Sequence, residues 1–315
     1  MLALGACSAP PPQEAPRPHP TIVSFNPCTD AILAEVAEPG QLLAISHYSQ
    51  SASSSSMDLA TARRFRSVSG TVEEVLALHP DVVVAGNFMS PATVGAMDGL
   101  GMRLEQLPIA STVADSEAQI RTLARLAGHP DRGAALIARI EAALAQAVPP
   151  PGTRPITTVV WQSGGMVPGD GTLIAELLRR TGFANFAAAR GLGQADVLPL
   201  EAMLADPPAL ILATGDARAN EDRLLAHPAL AALKSTRRER LAPALLWCGG
   251  PTIIRAVERL AEVRRALRDA SEPSTLRHAQ GSVPLAPQDE RSWKSSAHPE
   301  EGLSFSKTRL EGGAL

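Results

Sequence analysis

Glu73-Glu74-Val75-Leu76-Ala77-Leu78-His79-Pro80-Asp81-Val82-Val83-Val84-Ala85 has a second copy in Glu201-Ala202-Met203-Leu204-Ala205-Asp206-Pro207-Pro208-Ala209-Leu210-Ile211-Leu212-Ala213. The two stretches align without a gap, and Glu, Leu, Ala, Pro and the closing Ala coincide. Each reads as a short helix headed by a glutamate, then a proline, then an apolar run. Pro80 and Pro208 stop the helix, because proline lacks an amide hydrogen and its ring clashes with the preceding turn. The runs Val82–Ala85 and Leu210–Ala213 are too short for a helix and too uniformly apolar for a half-exposed strand. They read as strands buried on both faces, which occur in parallel sheets covered by helices. A helix–strand unit in each half predicts two similar α/β lobes.

Outward from these copies, Thr21–Phe25 and Thr157–Trp161 read as the buried strands that open each half. Asn26 to Asp30 reads as a turn, followed by a helix over Ala31–Ala37 capped by Thr29 or Asp30. Leu42–Ser46 is a further short strand, and Gln50 to Ser56 a serine-rich loop. Asp115 to Ala147 is rich in Ala, Leu, Arg and Glu, with Leu136, Ile140 and Leu144 at helical spacing. Gly128-His129-Pro130 interrupts it, so a shorter helix precedes a long one that starts near Asp131. The expected organisation is a tether over 1–20, an N-terminal lobe over 21–113, a linker-helix region over 114–148, a C-terminal lobe over 149–270 and a disordered tail over 271–315. The fold class is α/β, with two Rossmann-like lobes joined by a single long linker helix and a ligand cleft between them.

Composition bounds the function. A net charge of −3 offers no basic excess for nucleic acid. No apolar run approaches the roughly 18 residues of a membrane-spanning helix. Aromatics are only 3% of the chain, so an exposed one is a scarce resource for stacking on a ligand. Leu4-Gly5-Ala6-Cys7 resembles a lipobox, in which Cys7 is lipidated, and the proline-rich Ser8–Pro20 is a semi-rigid spacer behind it. The basic and apolar regions of an export signal are mostly missing before it, so the precursor is expected to start further upstream. Cys28 and Cys248 each follow a strand, in different lobes. In an exported protein they are two buried structural thiols, the favoured reading, or an interlobe disulfide if their Cα atoms lie within about 7 Å.

In order and spacing these elements resemble the periplasmic-binding family for iron chelates and cobalamin, the class III binders of ABC importers. The resemblance spans about Thr21 to Leu267. It rests on Thr71–Val83 and its copy Leu198–Ala213, on Leu173–Asn185 ending Thr181-Gly182-Phe183-Ala184-Asn185, and on Trp247-Cys248-Gly249-Gly250-Pro251 followed by Ala256–Leu260. It implies a cleft reached from loops at the C-terminal ends of the strands, where α/β sheets generally bind ligands. Asn26, Pro27, His47, Tyr48, Phe88, Trp161 and Arg190 are the expected cleft residues. Tyr48 corresponds roughly to a ligand-stacking tyrosine of cobalamin binders, while no counterpart of their second-lobe tryptophan stands between Phe186 and Val197. Arg63, Arg64 and Arg66 read as a solvated basic face.

The expected ligand is a corrinoid or a ferric siderophore, captured as a preformed chelate, with haem or a divalent metal as the alternative. The resemblance further implies a monomeric periplasmic protein, anchored to the membrane by lipid on Cys7 and carrying no other covalent cofactor. It implies a permease dimer and its ATPase as partners, with Glu73 and Glu201 meeting arginine pockets on the two permease subunits. Glu74 reads as a solvated bystander. No metal site is expected, because His47, His79, His129 and His227 are scattered singly and no histidine-rich loop exists. No enzymatic activity is expected, since G-x-S-x-G, H-E-x-x-H, the G-x-x-x-x-G-K phosphate loop and a helix-opening G-x-G-x-x-G are all missing.

Overall fold

The computed structural model describes residues 18–215 and 227–271. Cys7, most of the tether and the expected tail from 272 onward lie outside the described residues. The first lobe is built on five parallel strands: β1 (Ile22–Ser24), β2 (Leu42–Ser46), β3 (Ser67–Val68), β4 (Val82–Gly86) and β5 (Leu104–Leu107). Their order is β3-β2-β1-β4-β5. Helices α1 (Pro27–Val36), α2 (Leu59–Ala62), α3 (Val72–Leu76) and α4 (Pro91–Gly99) connect them.

The linker region holds α5 (Val113–Leu126) and α6 (Pro130–Ala147). Thr112 and Asp115 cap α5 reciprocally, each side chain accepting from the other's backbone amide. The chain then turns at Gly128 and restarts on Pro130, where the missing amide hydrogen costs nothing at the first helical position. Leu136, Ile140 and Leu144 line the buried face of α6, as their spacing predicts.

The second lobe holds β6 (Ile156–Trp161), β7 (Met166–Val167), α7 (Leu173–Arg180), β8 (Phe183–Asn185), β9 (Asp196–Val197), α8 (Leu200–Ala205), β10 (Leu210–Ala213), α9 (Pro228–Ala231) and β11 (Arg237–Arg240). Its main sheet is parallel, in the order β11-β10-β6-β8, and β7 pairs with β9 antiparallel. The duplication is visible in this order. In each lobe the opening strand, β1 or β6, lies between the strand of the repeat, β4 or β10, and a third strand, β2 or β8. Val75 and Met203, which correspond in the two copies, are both fully buried beneath their helices. The strands fill the core with Val82–Ala85 and Leu210–Leu212, as a run apolar on both faces requires.

Two features depart from the sequence reading. First, α1 begins at Pro27 rather than Ala31, and Asn26 is its N-cap, its side chain accepting from the Cys28 amide. The stretch that reads as a turn is the first turn of the helix, with proline at N1. Second, the linker helix is not the sole bridge. After β11 the chain returns to the first lobe before α10 (Thr252–Ser271) packs along α6. At this crossing the Gly250 amide donates to Ser116 Oγ at 2.7 Å, and Thr252 Oγ1 donates to the Ser56 carbonyl at 3.0 Å. Gly250 has φ +63, and a Cβ there would sit 2.6 Å from Ile32 Cγ1. Only glycine fits both the turn and the close approach.

The crossing also carries the cysteines. Cys28 and Cys248 form a disulfide, with Cα atoms 4.9 Å apart. Of the two states open from sequence, the favoured one, a pair of free thiols, is thereby corrected. The physical reason is the return of the chain: Cys248 follows the second lobe in sequence but packs on the first.

Candidate ligand-binding cleft

The C-terminal ends of β1, β2, β4 and β5 lead into Asn26, His47, Asn87 and Pro108. Around these ends stand four of the large apolar side chains that the fold leaves exposed. Tyr48 is 55% exposed, Phe88 72%, Ile109 45% and Trp247 55%. With aromatics so rare in the chain, three unburied ones at one end of a sheet mark a surface meant to be covered. Phe88, Ile109 and Trp247 line one crevice of about 50 Å³ with Asn26, Cys28 and Gly86. Trp247, beside the disulfide, is a candidate cleft residue that sequence reading did not name as one. Its one signal was a large aromatic set directly before Cys248-Gly249-Gly250, outside any strand or helix pattern.

The other expected cleft residues divide. Asn26 is half-buried and occupied as the cap of α1, and Pro27 is half-buried at N1. His47 is exposed and its ring lies 4.0 Å from that of Tyr48. His47 Nδ1 lies 3.3 Å from the Val68 carbonyl, which can only accept, so Nδ1 is the donor in that contact and Nε2 is the nitrogen left for another partner. Trp161 is not a cleft residue: it is 1% exposed and packs with Val159, Phe186, Met203 and Ile211. It ends β6, which lies between β10 and β8 and is covered on both faces. Arg190 is already committed. Its guanidinium pairs with Asp206, donates to the Phe186 carbonyl at 3.2 Å and sits 3.3 Å over the Phe186 ring. Arg64 and Arg66 border the pole at the N-terminal strand ends, beside Glu38 and Gly40, away from the aromatics.

The loop that displays His47 and Tyr48 is anchored from below by Asp30. This side chain is fully buried, and its Oδ2 accepts from the Ser46 amide at 2.9 Å and from Ser49 Oγ at 2.7 Å. Burial raises its pKa to about 8, against the lowering effect of those hydrogen bonds and of Ser24. Oδ1 is buried without a hydrogen-bond partner among the described residues, which adds to the cost of ionising this carboxyl. Between about pH 4 and pH 8 the folded chain holds a proton on this carboxyl and the unfolded chain does not. Stability is therefore expected to fall as pH rises through that window and to level off above it. In Asp30→Asn, which mimics the neutral acid, that slope should flatten. Urea denaturation of both proteins from pH 5 to pH 9 checks it, and parallel profiles would contradict the assignment.

Glu73 and Glu201 both project from the first turn of their helices into solvent, in corresponding positions of α3 and α8. Neither forms a hydrogen bond or ion pair among the described residues. Glu74, read from sequence as solvated, is tied down within the lobe. It accepts from both the amide and the hydroxyl of Ser69 at 2.7 Å, and those bonds lower its pKa.

A cavity of about 600 Å³ lies elsewhere, at the N-terminal strand ends of the second lobe. It is lined by Arg237, Arg264, Arg265 and Arg268 and by no aromatic, so it lacks the stacking faces of the cleft. Among the described residues no helix is long and apolar enough to cross a membrane.

Among curated proteins none matches the chain. Solved structures do. A periplasmic heme-binding protein, RhuT from Roseiflexus sp. RS-1 in apo form, superposes with a TM-score of 0.64 at 22% identity, over 81% of this chain and 100% of that one. The periplasmic vitamin B12 binding protein BtuF of Vibrio cholerae gives 0.61 at 20% identity, over 79% and 97%. Helicobacter pylori CeuE with Ni(II) bound gives 0.60 at 20% identity, over 79% and 84%. At these identities the likeness is one of fold. The family model for periplasmic binding proteins matches residues 22–242, most of the chain and both lobes, and the chain belongs to the periplasmic binding protein family.

Proposed function

We propose that this protein captures a bulky metal chelate, a corrinoid or a ferric siderophore, in the periplasm and delivers it to an ABC importer. In this reading lipid on Cys7 holds it at the membrane and it works as a monomer. The observation that carries the reading is the exposure of Tyr48, Phe88 and Trp247 around the strand ends of the first lobe. An aromatic ring offers a large, rigid face to a flat partner at little entropic cost. A macrocycle or a catecholate shell offers such faces, and a bare ion does not. The neighbours in fold are named for binding heme, vitamin B12 and nickel.

Titrating the purified protein with cyanocobalamin, cobinamide, hemin and several ferric siderophores tests this, with tryptophan fluorescence as the readout. Trp161 is buried and Trp293 lies outside the described residues, so with Trp293→Phe as the background, quenching should come chiefly from Trp247 and largely disappear on adding Trp247→Ala. Tyr48→Ala and Trp247→Ala are each expected to weaken chelate binding by roughly 10- to 100-fold, the range of a central aromatic contact. If no chelate binds, or if both variants bind as well as wild type, the reading fails.

A second reading, haem, is favoured by one observation. His47 offers a free Nε2 beside the exposed Tyr48 hydroxyl, and each can ligate a haem iron. Hemin binding with a Soret shift that His47→Ala or Tyr48→Phe abolishes would select it over the corrinoid.

A further inference from the structure

We propose that His19, Glu38 and His129 form a binding site for a single transition-metal ion of the zinc class, at the pole of the first lobe opposite the cleft. The three residues are far apart in sequence, on three separate segments. His19 ends the proline-rich tether just before β1, Glu38 follows the last turn of α1, and His129 occupies the corner between α5 and α6. One ligand atom from each lies within 4.8 Å of the other two. The imidazoles meet edge to face with centroids 4.5 Å apart, and Glu38 Oε1 is 3.8 Å from His129 Nε2. Tetrahedral zinc, with metal–ligand bonds of about 2.0–2.2 Å, needs donor atoms roughly 3.4 Å apart. Side-chain rotation of about 1 Å closes the set, leaving the fourth position to water.

The surroundings are built for this arrangement. Gln41 is buried, and its one amide ties all three ligand-bearing segments together. Its Nε2 donates to the Pro20 carbonyl at 3.0 Å and to the Ala127 carbonyl at 2.8 Å, while its Oε1 accepts from the Glu38 amide at 2.8 Å. The same oxygen accepts from His129 Nε2 at 3.1 Å, so Nδ1 can take an ion with that bond in place, whereas Nε2 takes one only by giving it up. Outer contacts of this kind orient metal ligands and are as much a part of a site as the ligands. Gly128 has φ +81, and a Cβ there would fall 2.2 Å from His19 Nδ1, so the glycine leaves the space that the His19 ring fills. Two imidazoles and one carboxylate suit zinc, nickel or copper rather than magnesium or calcium, which prefer all-oxygen shells. The ion would clamp the end of the tether to the folded lobe, at the N-terminal strand ends, where it cannot touch a ligand held at the C-terminal ends.

The test uses the full chain after treatment with EDTA. Calorimetric titration with Zn²⁺ should give one ion per chain at micromolar or tighter affinity. Co²⁺ should give the visible absorption of a tetrahedral site. At a hundredfold excess over Kd, the thermal midpoint should rise by roughly 5–10 °C. His19→Ala and Glu38→Gln lie at the edge of the lobe and should keep the fold, checked by circular dichroism, while weakening Zn²⁺ at least tenfold. His47→Ala, in the cleft, should bind Zn²⁺ as wild type does. Failure to bind Zn²⁺, binding unchanged in both edge variants, or binding lost in His47→Ala would overturn the proposal. Chelate binding, read through Trp247 in the same preparations, stands or falls separately.

Discussion

Replacing Cys28 and Cys248 together by serine is expected to lower the unfolding free energy by about 2–5 kcal/mol and the thermal midpoint by roughly 5–15 °C. The bond closes a loop with a sequence separation of 220, so it removes much of the freedom of the unfolded chain. It joins the first turn of α1 to the segment that returns from the second lobe, which a few hydrogen bonds to Ser116 and Ser56 hold otherwise. Trp247 is its sequence neighbour and faces the same crevice as Cys28. Loosening the crossing should therefore also cost chelate affinity, a coupling that no distant destabilising change would produce. Reversible denaturation of wild type and double variant measures the first effect, and titration well below the melting temperature measures the second. Alkylation of the native, non-reduced protein followed by mass spectrometry checks the premise: two labelled thiols at these positions would remove it.

The second large effect is expected at the opposite kind of residue, exposed and without a side-chain partner among the described residues. Glu73→Lys and Glu201→Lys should each leave chelate affinity and stability unchanged while weakening association with the permease about tenfold or more. The double variant should lose about 100-fold or more, because under the docking we propose each reversal would set like charges against an arginine pocket. The reasoning starts from the duplication. Corresponding positions of α3 and α8 present a carboxylate outward from each lobe, near a helix N-terminus that favours negative charge. An arginine fork can replace the water around such a group with a bidentate, charge-assisted pair. Two pairs, one per lobe, would report the spacing of the lobes as well as their orientation. Glu74 serves as the control. Its carboxylate is held by Ser69, so Glu74→Gln should disturb local stability and leave docking intact. Transport assays in vesicles, with chelate binding measured in parallel, check the set. Intact transport in the double reversal, or loss of chelate binding in a folded variant, would end the docking assignment.

Much of this architecture could be read without coordinates, and the readable part has a common physical character. Buried strands such as Val82–Ala85, proline stops, the helix break at Gly128-His129-Pro130 and the repeat of Glu73–Ala85 in Glu201–Ala213 are local patterns. Backbone chemistry and the period of apolar residues produce them within a few residues of chain. They sufficed for the fold class, the two lobes and the family. What escaped was non-local. Trp161 and Trp247 are the same residue type, each near a strand or turn, yet one is core and the other exposed. The difference lies in β6 being a central strand and in the chain crossing back before α10. That return also bonded Cys28 to Cys248. His19 and His129 look solitary in sequence and become neighbours only because the N-terminal ends of β1 and α6 share one pole of the lobe, tied there by Gln41. Arg190 looked free for a ligand until Asp206 was folded against it. Local propensity and patterning decide which elements form, whereas which side chains stay uncovered, bonded or paired depends on contacts between separate elements, from the 16 residues between Arg190 and Asp206 to the 220 between the cysteines, and those exist only in the packed chain.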